Sequence, residues 1–294
     1  MINQSGYVAI IGRPNVGKST LINSLLGEKI SITSKKPQTT RWQILGIKTL
    51  GDAQIIYIDT PGLHRDEKRA MNRYLNRIAR SVIQYADVIV FMIDATLWHA
   101  EDDLVLKKLE HLTKPIILAI NKIDLLKDKS LLLPLIDRLK NKLAFAHIIP
   151  LSALNKQNVD ELETEVARLL PAGPAFFPED QTTDKSIRFQ LAEMIREKII
   201  DETEKELPYA ITIEIEKYEQ TEKLIEVSAV IWVERQGQKV IVIGKKGARL
   251  KKIGILARRD MEKMLEKKVF LRLWVKVKGQ WTDDERALKH LGYE

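Results

Sequence analysis

The chain contains no cysteine among its 294 residues, which removes disulfides and thiolate metal centres from consideration. It also lacks a long apolar run. The longest uninterrupted stretch, Val88 to Ile93, falls far short of the roughly 20 residues that cross a bilayer, so no transmembrane helix is expected. The amino terminus shows neither a basic segment nor a cleavage site, and within ten residues it enters Tyr7-Val8-Ala9-Ile10-Ile11, unlike a secretory signal. A cytoplasmic protein is the simplest reading. Basic residues dominate one region: Arg235 to Lys278 holds fifteen Lys or Arg against Asp260, Glu262 and Glu266. Net charge is +8 with a pI near 9.4, so a polyanionic partner is favoured, and the field that would attract it is local.

The length suits two domains, each able to bury a core. From Tyr7 to about Leu170, apolar runs such as Ile55 to Ile58, Val88 to Ile93, Ile116 to Ile120 and His147 to Pro150 alternate with helical patterns. Continuous rather than alternating apolarity marks strands buried on both faces, hence a doubly wound α/β domain with a mainly parallel sheet. Pro171 to Pro178 contains three prolines and cannot continue a helix or enter a central strand. The expected division is therefore a nucleotide domain over 1–172, a linker over 173–184 and a second domain over 185–294. In that second domain Ile187, Leu191, Ile195 and Ile199 repeat every four residues, then Ile211, Ile213 and Ile215 alternate with polar neighbours. The predicted order is α-β-β-α-α-β, with a further helix at the carboxyl end.

Five short segments recur in the first half in one order. They are Gly12-Arg13-Pro14-Asn15-Val16-Gly17-Lys18-Ser19, Thr39-Thr40, Asp59-Thr60-Pro61-Gly62, Asn121-Lys122-Ile123-Asp124 and Ser152-Ala153. Gly12 and Gly17 let the backbone curl around phosphates, aiming the amides of Asn15 to Thr20 and a helix N-terminus at negative charge. Lys18 adds a cation at the β and γ phosphates, and Ser19 offers the hydroxyl expected on Mg²⁺. Asp59 can hold the metal through water, the Gly62 amide can bond the γ-phosphate, and Thr40 or Thr39 can close a hydroxyl onto the ion from the polar loop Ser31 to Arg41. Asp124 accepts from guanine N1–H and the exocyclic amine, donors that adenine does not present together, so GTP should beat ATP. Lys122 can lay its stem along the base, Asn121 can tie loops together, and the backbone at Ser152-Ala153 can donate to O6.

This ordered set resembles the translation-factor-type GTPases, and the whole chain resembles the Era family of bacterial ribosome-assembly GTPases. The resemblance implies a GDP/GTP switch that hydrolyses GTP with Mg²⁺ in the cytoplasm. It also implies, for some members, peripheral association with the inner membrane. Where Ras-like enzymes carry a water-orienting Gln, this chain has Leu63. An aliphatic group cannot polarise water, so slow intrinsic turnover is expected from Lys18, Thr40 and Gly62 alone. Related GTPases with Asn at the position of Asn15 use it to help hold K⁺; the alternative, that Asn15 only stabilises the loop, stays open.

Gly244-Lys245-Lys246-Gly247 joins two expected helices and is followed by Arg249, Lys251, Lys252, Arg258 and Arg259. In that setting it resembles the loop of a type II K-homology (KH) domain, an α+β fold whose Gly-x-x-Gly clamps about four nucleotides of single-stranded RNA. Gly244, Lys245, Lys246, Gly247, Arg249 and Lys252 are the expected RNA contacts. The family resemblance points to the 3′ end of small-subunit ribosomal RNA, the small ribosomal subunit as partner, no DNA and a monomeric state. Two rivals are a membrane-surface signalling GTPase using the basic patch on anionic lipid, and an RNA-binding protein that holds nucleotide for stability alone.

Overall fold

The computed structural model describes residues 2–34, 39–61, 70–203 and 211–279, which fall into two compact units. The first takes 2–31, 40–61 and 72–184, and the second takes 32–34, 39, 70–71, 185–203 and 211–279.

The first unit is built on a six-stranded sheet in the order β2-β3-β1-β4-β5-β6. Its strands are β1 (Gln4–Ile11), β2 (Ile44–Leu50), β3 (Ala53–Asp59), β4 (Val88–Asp94), β5 (Ile116–Asn121) and β6 (His147–Pro150). All pairs are parallel except β2 with β3. Every residue of β3, β4 and β5 is buried, because helices lie over both faces of such a sheet. These are α1 (Lys18–Leu26), α2 (Ala70–Tyr85), α3 (Ala100–Leu109), α4 (Leu132–Leu139) and α5 (Val159–Leu169). Strand β1 lies between β3 and β4, so the order reverses beside it, and the loop leaving its carboxyl end opens into the crevice where doubly wound sheets take ligands.

The apolar runs predict five of these six strands. They do not locate β2, whose sequence carries Gly46, Lys48 and Thr49 and whose edge position exposes Leu50. Residues 173–184, expected as a linker, are strapped along the β2–β3 edge of the first unit. Ser5 Oγ donates to the Pro174 carbonyl, and Gln54 exchanges hydrogen bonds with the Phe176 and Phe177 backbone. Thr183 pairs antiparallel with Gly46, and Leu45 N–H donates to Asp184. A strap of this kind satisfies an edge that would otherwise offer unpaired backbone groups.

The second unit follows the order α6 (Ile187–Glu202), β7 (Ile211–Gln220), β8 (Ile225–Val233), α7 (Gln236–Ile243), α8 (Ala248–Leu265) and β9 (Val269–Val277). Its sheet is β7-β8-β9, antiparallel then parallel, leaving β9 at an edge. Leu191, Ile195 and Ile199 of α6 are fully buried in one core with the inward residues of β8 and with Ile253, Ala257 and Met261 of α8, each large side chain worth about 1.5–3 kcal/mol of burial. Ile187, the first of that four-residue repeat, is 46 % exposed because it opens the helix. Residues 32–34 and 39 complete this unit. Ile32 joins its core, Thr33 N–H donates to Glu197 (3.1 Å), and Arg196 Nη2 donates to the Thr39 carbonyl (2.6 Å). Arg196 is itself buried in a two-pronged pair with Glu193, both contacts 2.6 Å. Within the polar segment Ser31 to Arg41, read as a mobile loop able to close on the metal, Ser31, Ile32, Thr39 and Arg41 are all buried. The expected carboxy-terminal helix, Gly62, Leu63 and His64 lie outside the described residues.

Candidate functional site

The loop from β1 to α1 carries the phosphate-binding residues. Gly17 has φ 107° and a Cβ there would stand 2.4 Å from Asn121 Nδ2, so only glycine lets the Asn121 amide reach across. That amide donates to the Val16 carbonyl (2.8 Å), and its oxygen accepts from the Ala153 N–H (2.9 Å). One buried side chain thus ties the first, fourth and fifth motifs together. Lys18 is 7 % exposed and its ammonium donates to the Gly12 and Arg13 carbonyls, both at 3.1 Å. Burial lowers it to about 8 against the opposing pull of Asp59. A buried ammonium held by neutral carbonyls is suited to an anion arriving at the loop. Asn15 sits in the left-handed region (φ 64°) and is exposed, with Thr20 half-buried one turn into α1.

The metal candidates converge. Ser19 Oγ donates to Asp59 Oδ2 (2.8 Å) and lies 3.0 Å from Thr40 Oγ1. Asp59 is fully buried at the end of β3, and its Oδ1 has no hydrogen-bond partner among the described residues. Burial pushes its carboxyl up, opposed by the Ser19 hydrogen bond and the Lys18 charge. Two hydroxyls and a carboxylate with one orphaned oxygen fit a hard cation that takes its remaining ligands from phosphate and water, as Mg²⁺ does. Of the two candidate threonines, Thr40 faces Ser19, whereas Thr39 gives its carbonyl to Arg196.

On the base side, Asp124 is exposed and its Oδ1 accepts from Ser152 Oγ (2.6 Å), which fixes the carboxylate's direction. Lys122 is left-handed (φ 68°), and its ammonium pairs with Asp94 Oδ2 at 2.7 Å. Asp94 was not among the sequence candidates. Burial alone would raise it, but Lys122 and Thr96 hold it below the usual carboxylate range. Arg13 is similarly placed, bonded to buried Asp102 (3.2 Å) and the Leu97 carbonyl (3.3 Å). Asp102 also accepts from the His99 N–H as part of the capping box that opens α3. The available signal was position: Asp94 ends a fully buried strand at the ligand edge of the sheet.

In the second unit Gly244 (φ 72°, ψ 177°) occupies backbone space that essentially only glycine visits, and a Cβ there would stand 2.7 Å from that of Arg249. Lys245 and Lys246 are both exposed on the single turn that follows. Beside it lies a cavity of about 420 Å³ lined by Gly247, Leu250, Lys251, Gly254, Ile255 and Arg258 of the turn and α8, and by Phe270, Leu271 and Leu273 of β9. Apolar floor and cationic rim suit a single strand whose bases enter and whose phosphates stay out. Of the expected contacts, Arg249 donates to the Ile241 carbonyl at the end of α7, and the exposed Lys252 pairs with Glu202 (2.8 Å). Lys251 and Arg258 line the groove. Positions 247, 251, 254 and 258 form one helical stripe, a phase that picking basic residues by proximity to the loop overlooks.

Comparison with known proteins agrees with a GTPase domain followed by a KH domain. Residues 7–122 match the family model described as 50S ribosome-binding GTPase, and residues 206–282 match the KH domain model. The GTPase Era of Ectopseudomonas mendocina is 56 % identical over 292 residues, covering 99 % of this chain and 98 % of that one. That of Marinobacter nauticus is 55 % identical over 290 residues, covering 99 % and 95 %. Among solved structures, Era in complex with MgGDPNP and nucleotides 1506–1542 of 16S ribosomal RNA is 42 % identical with TM-score 0.95, covering 99 % of both chains. A variant of Aquifex aeolicus Era bound to GDP·AlF₄⁻ is 42 % identical with TM-score 0.94 over the same shares. At this identity and coverage, the chain belongs to the Era family of GTPases.

Proposed function

We propose that this GTPase binds the 3′ region of small-subunit ribosomal RNA through its second unit, and that GTP binding and hydrolysis in the first govern its part in small-subunit assembly. The observation that carries the RNA reading is the groove beside Gly244 to Gly247, apolar inside and rimmed by Lys251 and Arg258. The relative crystallised with a 16S fragment shares its fold over the full length. Titrating nucleotides 1506–1542 of 16S ribosomal RNA into the full chain with GDPNP or GDP tests it. Saturable binding is expected, and none in either state would end the reading. Among the described residues no helix is long and apolar enough to cross a membrane, and peripheral contact with anionic lipid is the competing use of the same basic surface.

In the first unit Ser19, Thr40 and Asp59 would hold Mg²⁺, which when bound supplies positive charge to the β and γ phosphates. Lys18 and the amides of the Gly12 to Thr20 loop bind and orient those phosphates, with the Gly62 amide expected on the γ-phosphate. Asp124 reads guanine with Ser152 and Ala153 beside it, and Lys122, steered by Asp94, covers the base. Hydrolysis proceeds by positioning and charge, since Leu63 offers no polar group to the water. Asn15, presented on an exposed left-handed turn, would help hold K⁺ near the phosphates. Equal single-turnover rates in K⁺ and Na⁺ would remove that ion.

The neighbouring positions 39 and 40 give the switch a route. Arg196 holds the Thr39 carbonyl, while the Thr40 hydroxyl stands at Ser19. A change in what Thr40 binds therefore works directly against a hydrogen bond anchored in the RNA-binding unit. Equal RNA affinity with GDP and GDPNP, in the wild type and in Arg196→Lys, would exclude coupling through equilibrium binding.

A further inference from the structure

The outward face of β9 carries Phe270, Arg272, Trp274 and Lys276, with Lys278 just past its end, while Val269, Leu271, Leu273 and Val275 on its other face join the core. Phe270 and Trp274 are 45 % and 43 % exposed. Two exposed rings on one strand face, with cations beside them, form an apolar patch with a polar rim, the kind that marks an interaction site. Arg272 lies 4.8 Å from the Phe270 ring centroid, and Trp232 is already engaged, its Nε1 donating to Glu214 and Lys276 standing 5.5 Å from its ring. Among the described residues, no cation or ring covers Trp274. Phe270 also lines the groove beside Gly247, so the outward face of β9 begins where that groove ends.

Charge narrows the surface to one strand. Arg272 and Lys276 lie along β9 and Lys278 follows it, Lys276 being paired with Glu216 of β7 (3.1 Å), whereas Glu226 sits opposite Phe270 on β8, and Glu214, Glu216 and Glu219 lie along β7 with Lys217, itself paired with Glu219 and Glu226. A lipid surface is a plane and would meet these carboxylates as well. A single polynucleotide strand can follow β9 alone. Phe270 and Trp274 stand about 13 Å apart along the strand, with Arg272 between them.

We propose that RNA leaving the Gly244 to Gly247 groove continues over the outward face of β9, stacking bases on Phe270 and Trp274 with its phosphates toward Arg272 and Lys278. This deepens the RNA-binding reading and rests on it. The test uses the full chain with GDPNP and the 16S fragment 1506–1542 as probe. Trp274→Ala should weaken binding about tenfold, the usual cost of one lost base stack, while Trp274→Phe, which keeps a ring, stays within about threefold. The double change Arg272→Gln and Lys278→Gln should flatten the log–log salt dependence by about 1.4, two single-strand phosphate contacts, and it remains informative if Trp274→Ala folds poorly. Unchanged affinity in Trp274→Ala together with an unchanged salt slope overturns the platform, even if Lys245→Glu with Lys246→Glu abolishes binding and so upholds the groove. Conversely, a loss in Trp274→Ala with no loss in the paired lysine reversal upholds the platform and fails the groove. Loss of retention on phosphatidylglycerol vesicles by Trp274→Ala, with RNA affinity intact, would also overturn it.

Discussion

The two units hold their functional polar groups in opposite ways. In the first, Lys18, Asp59, Asn121 and Ser152 are at most 7 % exposed; the last three are each tied to another motif, and Lys18 to carbonyls of its own loop. In the second, Lys245, Lys246, Lys251 and Arg258 are all exposed. A buried polar group left without its partner costs its full desolvation, so the nucleotide site should respond steeply to single changes. Exposed cations act through a screened field, so the RNA face should respond in smaller, more additive and salt-dependent steps.

The sharpest break of this contrast is at the base. Asp124→Asn should cut the preference for GTP over ATP by about 10³-fold, because the amide offers a donor where guanine also has one; competition binding with both nucleotides measures it. Next, Lys18→Ala should slow single-turnover hydrolysis by about 10²- to 10³-fold while leaving RNA affinity at fixed nucleotide occupancy unchanged. A smaller loss there would mean the ammonium works through water as the surface lysines do. Lys245→Glu with Lys246→Glu should weaken the 16S fragment by about 10- to 100-fold and reduce its salt slope, with intrinsic hydrolysis intact. Lys252→Gln should change RNA affinity by less than about threefold, since its charge is already shared with Glu202 at the surface. An effect as large as that of the lysine pair would place Lys252 in the interface after all.

What the sequence made legible follows the same division. Continuous apolar strands and motifs with fixed spacing announce the doubly wound sheet and the nucleotide loop, because a buried phosphate site constrains residue type position by position. Strand β2 escapes because an edge strand need bury only one side. Asp94, Arg13 and Arg196 escape for another reason: their partners, Lys122, Asp102 and the Thr39 carbonyl, lie 28, 89 and 157 positions away, and no local pattern records such pairs. The choice between Thr39 and Thr40 belongs to this class, since adjacent threonines are chemically identical until a fold gives one of them to Arg196. On the RNA face, helical phase was available in the sequence and separates Lys251 and Arg258 from Arg249 and Lys252.

The anchoring of Ile32, Thr33 and Thr39 on α6 bears on how the catalytic half can be studied in isolation. Cutting the chain after Asp184 deletes Arg196, Glu197 and the apolar bed under Ile32, although every nucleotide motif survives the cut. Such a fragment would keep its affinity for guanine but lose the tether one residue before Thr40. Its turnover would then describe a liberated loop rather than the intact enzyme.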